Sequence, residues 1–179
     1  IGECALAALR KYQVGTKYVA KEGERLGIYF LESGSSMRPS KVIYDRTHSS
    51  ISTVRPEAFD FDQIFEGVDW FHFTGITPAI SDSAAELTEV ALKKAKEHGV
   101  KVSVDLNFRK KLWTSEKAQQ VMTRLMKYVD VCIGNEEDAN LVLGFKPEGS
   151  DVTSGNLKLS GYQSIFEQMT QKFGFEYCV

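Results

Sequence analysis

Three polar side chains, Asp105, Asn107 and Arg109, fall two residues apart where an apolar run gives out. Val102, Val104 and Leu106 alternate with Ser103, Asp105 and Asn107, the period of a strand with one apolar and one polar face. On that period Asp105, Asn107 and Arg109 share a side. Polar groups at the carboxyl end of a strand in an α/β sheet lie in the crevice where such folds bind ligands. The Arg109 guanidinium is a planar fork suited to gripping a carboxylate or phosphate through two parallel hydrogen bonds. Asp105 is placed to orient Asn107 or Arg109. The competing account is a surface arginine that pairs with Asp105.

Asn135 ends the next apolar run and is followed by Glu136, Glu137 and Asp138. Such a set can hold a hydrated magnesium ion beside phosphate oxygens, because that cation takes few carboxylates and keeps several waters. A helix N-cap with first-turn acids explains the same residues. Tyr29, Tyr44 and Arg46 lie on two further strand-like segments, where rings, hydroxyls and a guanidinium can meet a polar ligand. Ordinary cross-strand packing of tyrosines is the alternative. His72, between Phe71 and Phe73, reads as a core histidine, whereas His48 and His98 read as surface residues.

These residues need a scaffold to position them. The 179 residues are 42% hydrophobic and 26% charged, which suits one packed core. A formal charge of −2 leaves no electrostatic footprint for nucleic acid. Cys4, Cys132 and Cys178 lack metal-ligand spacing and read as reduced core thiols. No run approaches the ~20 apolar residues of a membrane span, so a cytoplasmic protein without a membrane partner is expected. The chain opens at Ile1 inside a helical pattern and stops at Val179 after an apolar run, which suggests a segment of a larger protein.

Ala5, Ala8, Leu9 and Tyr12 predict a first helix closing at Gly15. Residues 26–32 and 41–46 predict a long-looped hairpin or pair of lid strands. Helix and strand then alternate. A short helix follows Pro56, a strand spans 70–74, and a helix capped by Ser83 runs to Gly99 with a Glu89/Lys93 pair. Next come the strand 101–107, a helix capped by Ser115 with its stripe at Ala118, Val121, Met122 and Leu125, and a strand at 129–133. A short helix ends at Gly144, a glycine- and serine-containing loop covers 146–159, and Ile165, Met169 and Phe173 mark a last helix before a strand at 175–179. Strand and helix units in this order predict an α/β fold, a mostly parallel sheet with helices on both faces, with the hairpin added to it.

Taken in order, Leu26–Glu32, Lys41–Arg46, Trp70-Phe71-His72-Phe73-Thr74-Gly75-Ile76-Thr77-Pro78-Ala79, Asp105–Arg109 and Asn135–Ala139 resemble the ribokinase-like (PfkB) carbohydrate kinases, most closely those of 2-keto-3-deoxygluconate. The resemblance implies a doubly wound, ribokinase-like sheet with a small β lid over a sugar site. It implies ATP-dependent phosphorylation of that sugar acid with Mg2+ as cofactor. Tyr29, Tyr44, Asp45, Arg46 and Arg109 then match substrate-binding positions. Asn107, Phe108, Arg109 and Asn135 match nucleotide-binding ones. Asn135 and Asp138 match an Asn-x-x-Glu element that serves the metal, with Asp in place of Glu acting through water. It also places an amino-terminal strand before Ile1 and the catalytic base after Val179. A kinase for a neutral sugar such as fructose or ribose is the runner-up. A noncatalytic fragment that binds a sugar acid, or pairs with another subunit through its lid strands as a homo-oligomer, is the third reading.

Overall fold

The computed structural model describes residues 1–146 and 159–179. The loop expected over 146–159 therefore lies, but for its ends, outside the described residues. The chain opens with helix α1 (Gly2–Lys11), which buries only Leu6 and so leaves Cys4 exposed rather than in a core. It closes at Tyr12, and Gln13 at φ 60° makes the turn expected at Gly15. Strands β1 (Ile28–Glu32) and β2 (Lys41–Asp45) form the expected antiparallel hairpin.

The main body then follows. Short helix α2 (Ser50–Thr53), a 3-10 turn (Pro56–Ala58) and α3 (Phe61–Phe65) lead into β3 (Trp70–Thr74). After it come α4 (Ile76–Ile80), α5 (Asp82–Glu97), β4 (Lys101–Asp105), α6 (Ser115–Met126) and β5 (Val131–Ile133). Helices α7 (Glu136–Leu143) and α8 (Leu159–Phe173) precede β6 (Tyr177–Cys178). Strands β3 to β6 form one parallel sheet in chain order, so each crossover steps the same way. No helix among the described residues is long and apolar enough to cross a membrane.

Register and alternation assign the two faces of this sheet. Phe73, Val102, Val104 and Cys132 enter a core with Leu92 and Ala95 of α5, Met122 and Leu125 of α6, Val142 of α7 and Ile165 and Met169 of α8. The apolar stripe read from the sequence of α6 is buried, as are Ile165 and Met169 of the α8 stripe, while Phe173 at its end is half-buried. These helices supply one layer of a doubly wound sheet. The opposite face carries Trp70 at 53% exposure, Ile133 at 37% and Tyr177 at 66%. His72 belongs to that face and is exposed, which corrects its reading as a core residue. Alternation separates two faces of a strand but does not say which one is covered. The Trp70 indole N–H donates to Ser103 Oγ, and His72 Nδ1 lies against the same hydroxyl, each at 2.8 Å. Ser103 is thereby buried on the face where an exposed polar residue was expected.

Two helix starts differ from expectation by one or two residues. Ser81, not Ser83, caps α5 by accepting from Ala84 N, while the Ser83 hydroxyl donates to the Val54 carbonyl. Thr114, not Ser115, caps α6, and Ser115 Oγ donates to the Leu141 carbonyl. In each case a tertiary carbonyl takes the serine that local pattern assigns to the cap. The Glu89/Lys93 pair forms at 3.3 Å. Burial also pushes the Cys132 thiol up from its ordinary pKa, in keeping with a core thiol.

Asp130 ties β4 to β5. Its Oδ2 accepts from Val102 N at 2.7 Å and its Oδ1 from Lys96 Nζ at 2.9 Å. Partial burial alone would raise this carboxyl, but the Lys96 ammonium and the Val102 N–H outweigh it and hold the carboxyl below its ordinary value. A depressed native pKa stabilises the fold above the unfolded value and loses that contribution as pH falls through the native one. Asp130→Asn is expected to cost about 1.5 kcal/mol at neutral pH, the worth of a charge-assisted hydrogen bond. The deficit should shrink below about pH 4, which urea melts at neutral and acid pH will read. An equal deficit at both would contradict the assignment.

Candidate active site

The strand-end residues gather where β3, β4 and β5 finish. Gly75 brings β3 and β4 together there: its N–H donates to Asp105 O at 2.8 Å, and a Cβ at Gly75 would sit 2.1 Å from the Leu106 carbonyl oxygen. Regular strand geometry stops at Asp105. Asn107 adopts φ 43°, in the left-handed region that asparagine enters more readily than most residues. The expected alternation from Asp105 through Asn107 to Arg109 is therefore broken at Asn107. A short polar side chain can stabilise this backbone where a β-branched residue would be strained.

Contacts with neighbouring strand ends hold that turn. Asn107 Nδ2 donates to Thr74 Oγ1 at 3.3 Å, and Phe108 N donates to Asp138 Oδ1 at 2.9 Å. The exposed Arg109 donates from Nη1 to the Phe108 carbonyl at 3.2 Å, rather than to Asp105. Asn135 is the N-cap of α7, its Oδ1 accepting from Asp138 N at 2.8 Å. The helix closes at Gly144 with φ 80°, as its sequence predicts. Thr74, Asn107, Phe108, Asn135 and Asp138 thus form one connected group. Thr74 lies in the Trp70–Ala79 stretch that carries the family resemblance, but only the strand pairing brings it to Asn107.

The lid residues form a second group. Antiparallel register sets Tyr29 opposite Tyr44, with ring centroids 6.1 Å apart, and the Arg46 guanidinium lies 4.3 Å from the Tyr44 ring centroid. Tyr29 is 63% exposed and Tyr44 45%, so neither ring is spent on core packing. The Asp45 carboxylate is gripped by both terminal nitrogens of Arg25, whose Nη2 also donates to Thr47 O at 2.8 Å. Arg25 thus braces the foot of β2. No local pattern reveals that partner, which lies 20 residues away in sequence. Among the described residues no hydrogen bond joins the lid group to the strand-end group.

Hard oxygen donors suit the metal expectation. Asp138 has a second carboxylate oxygen beyond the one on Phe108, and Asn135 is exposed beside it. Among the described residues no cluster of three or more His, Cys, Asp or Glu is spaced to enclose a metal. A cavity of about 200 Å3 adjoins the group, lined by Leu106, Cys132, Asn135, Ile165, Met169 and Cys178.

The model of the pfkB family carbohydrate kinases matches residues 1–156. The chain belongs to this family. Within the pfkB family, a 2-dehydro-3-deoxygalactonokinase of Haloferax volcanii is 36% identical over 143 residues, which are 80% of this chain and 45% of that protein. A 2-dehydro-3-deoxygluconokinase of Thermoproteus tenax is 32% identical over 127 residues, 69% of this chain and 38% of that protein. The crystal structure of 2-dehydro-3-deoxygluconokinase from Thermotoga maritima superposes with a TM-score of 0.88 at 50% identity, over 97% of this chain and 51% of that enzyme. The fold is accordingly ribokinase-like α/β with a hairpin lid. The chain spans about half the length of these pfkB relatives or less.

Proposed function

We propose that this chain supplies the substrate clamp and part of the metal site of an ATP-dependent kinase that phosphorylates 2-keto-3-deoxygluconate on its 6-hydroxyl. The observation that carries the reading is the hairpin register that sets exposed Tyr29 against exposed Tyr44 with Arg46 over the latter ring. A keto-sugar acid presents hydroxyls and a carboxylate, and tyrosine hydroxyls with a guanidinium are complementary to both. The names of the two relatives and of the Thermotoga maritima enzyme support the same substrate class.

In this reading Tyr29, Tyr44 and Arg46 hold the sugar acid and Arg109 meets it from the strand end. Asp45, engaged by Arg25, keeps the lid strand in place. Asn107, Phe108, Arg109 and Asn135 line the nucleotide side. Asn135 and Asp138 are the residues that would hold a magnesium ion, and such an ion would neutralise phosphate charge. The 6-oxygen attacks the γ-phosphorus, the bond to the β-phosphate oxygen breaks, and ADP leaves. The hydroxyl proton goes to a base assigned to the part of the family fold that this chain does not cover. Positioning and charge stabilisation carry most of such catalysis.

The 36% identity to a galactonate-named kinase favours testing the C4 epimer, 2-keto-3-deoxygalactonate, alongside the gluconate. Calorimetric titration of the chain with both acids, fructose and ribose tests the reading. Binding restricted to the acids is expected, and preference for a neutral sugar would overturn it. The lid strands also suit pairing with a second copy, since Phe30 and Ile43 expose an apolar face opposite the tyrosines. Sedimentation showing only monomer would refute that partner.

A further inference from the structure

We propose that Asp138 is a positioning residue whose carboxylate fixes the Phe108 backbone and, through it, the left-handed turn at Asn107 and the presentation of Arg109. The proposal rests on the sugar-acid reading for the role of Arg109, but its structural part stands on three contacts. Asp138 Oδ1 accepts from Phe108 N at 2.9 Å across 30 residues of sequence. The adjoining Asn107 holds φ 43° and ties to Thr74 through its amide. The Phe108 carbonyl accepts from Arg109 Nη1, so both backbone groups of Phe108 are engaged, one by Asp138 and one by Arg109.

The geometry gives Asp138 a job that needs an acceptor and not a charge. Asn135 caps α7 through Asp138 N, which fixes the backbone from which the Asp138 side chain reaches to Phe108. Without the carboxylate the Phe108 N–H loses its partner, and the left-handed residue before it loses a restraint. Backbone in this region persists where surrounding contacts over-determine it. An aspartate is short, and the bond to Phe108 spans the gap between α7 and the end of β4. The second carboxylate oxygen remains available for a metal-bound water.

The test compares the wild-type chain with Asp138→Asn, which keeps an acceptor oxygen, and Asp138→Ala, which does not. Amide hydrogen exchange at Phe108 and metal-free titration with 2-keto-3-deoxygluconate are read for each. Wild type and Asp138→Asn are expected to protect the Phe108 amide alike. Asp138→Ala should exchange about tenfold faster and bind the acid about tenfold more weakly, the scale of one intramolecular hydrogen bond whose acceptor need not be charged. Asp138→Asn exchanging as fast as Asp138→Ala, or Phe108 unprotected in wild type, would overturn the assignment. If wild type binds no acid, the sugar-acid reading fails, while the exchange rates still decide what Asp138 does to the backbone.

Discussion

Gly75→Ala is expected to destabilise the chain by about 3 kcal/mol, the upper part of the range for overpacking a close contact. The reason is geometric. The new Cβ would lie 2.1 Å from the Leu106 carbonyl oxygen, and that atom is backbone that cannot rotate away. Relief requires the ends of β3 and β4 to separate, which breaks the bond from Gly75 N to Asp105 O. Leu106 is followed directly by the left-handed Asn107, so the displacement reaches Phe108 and Arg109. Urea denaturation will read the loss of stability, and titration with 2-keto-3-deoxygluconate the loss of the site. Wild-type stability in the alanine variant would mean that the strand ends do not approach as closely as the account holds.

On the proposed sugar-acid reading, in which Arg109 meets the substrate carboxylate, Arg109→Ala is expected to weaken binding of the keto-sugar acid by about 2–3 kcal/mol, roughly 30- to 150-fold, the scale of one charge-assisted contact. The guanidinium is exposed and, among the described residues, holds only the neighbouring Phe108 carbonyl, so its removal is expected to leave the fold intact. Stability within ~0.5 kcal/mol of wild type is therefore the expected companion result. Arg109→Lys keeps the charge and loses the fork, so it should recover only part of the affinity. An unchanged dissociation constant in Arg109→Ala would remove this residue from the site. The same pair of measurements on Arg46→Ala separates the two guanidiniums, because Arg46 also stacks on Tyr44 and its loss should loosen the lid.

Much of this architecture is legible in the sequence because it rests on local periodicity. The α6 stripe, the Gly144 helix end and the strands of the hairpin each follow from residues close in sequence, while the register that opposes Tyr29 to Tyr44 is seen only in the fold. The misread features depend on distant partners. Ser83 and Ser115 resemble caps as well as Ser81 and Thr114 do, until Val54 and Leu141 supply carbonyls for them. His72 looks buried because its neighbours are phenylalanines, yet the face it occupies carries exposed Trp70 and Tyr177. The left-handed turn at Asn107 follows from contacts with Thr74 and Asp138, two chain segments brought together only by the parallel sheet. Residue types at the site could thus be read locally, while their mutual geometry could not.

The central claim is that the clamp in this chain selects a sugar acid for phosphorylation. Its most direct measurement is ADP release by a chimaera joining this chain to the segment of the Thermotoga maritima enzyme that it does not cover. ATP and Mg2+ would be supplied with 2-keto-3-deoxygluconate, 2-keto-3-deoxygalactonate, fructose or ribose at matched concentrations. Turnover confined to the two keto-acids, and lowered at least tenfold by Arg109→Ala, is the predicted result. Faster turnover of fructose or ribose, unaffected by Arg109→Ala, would contradict it.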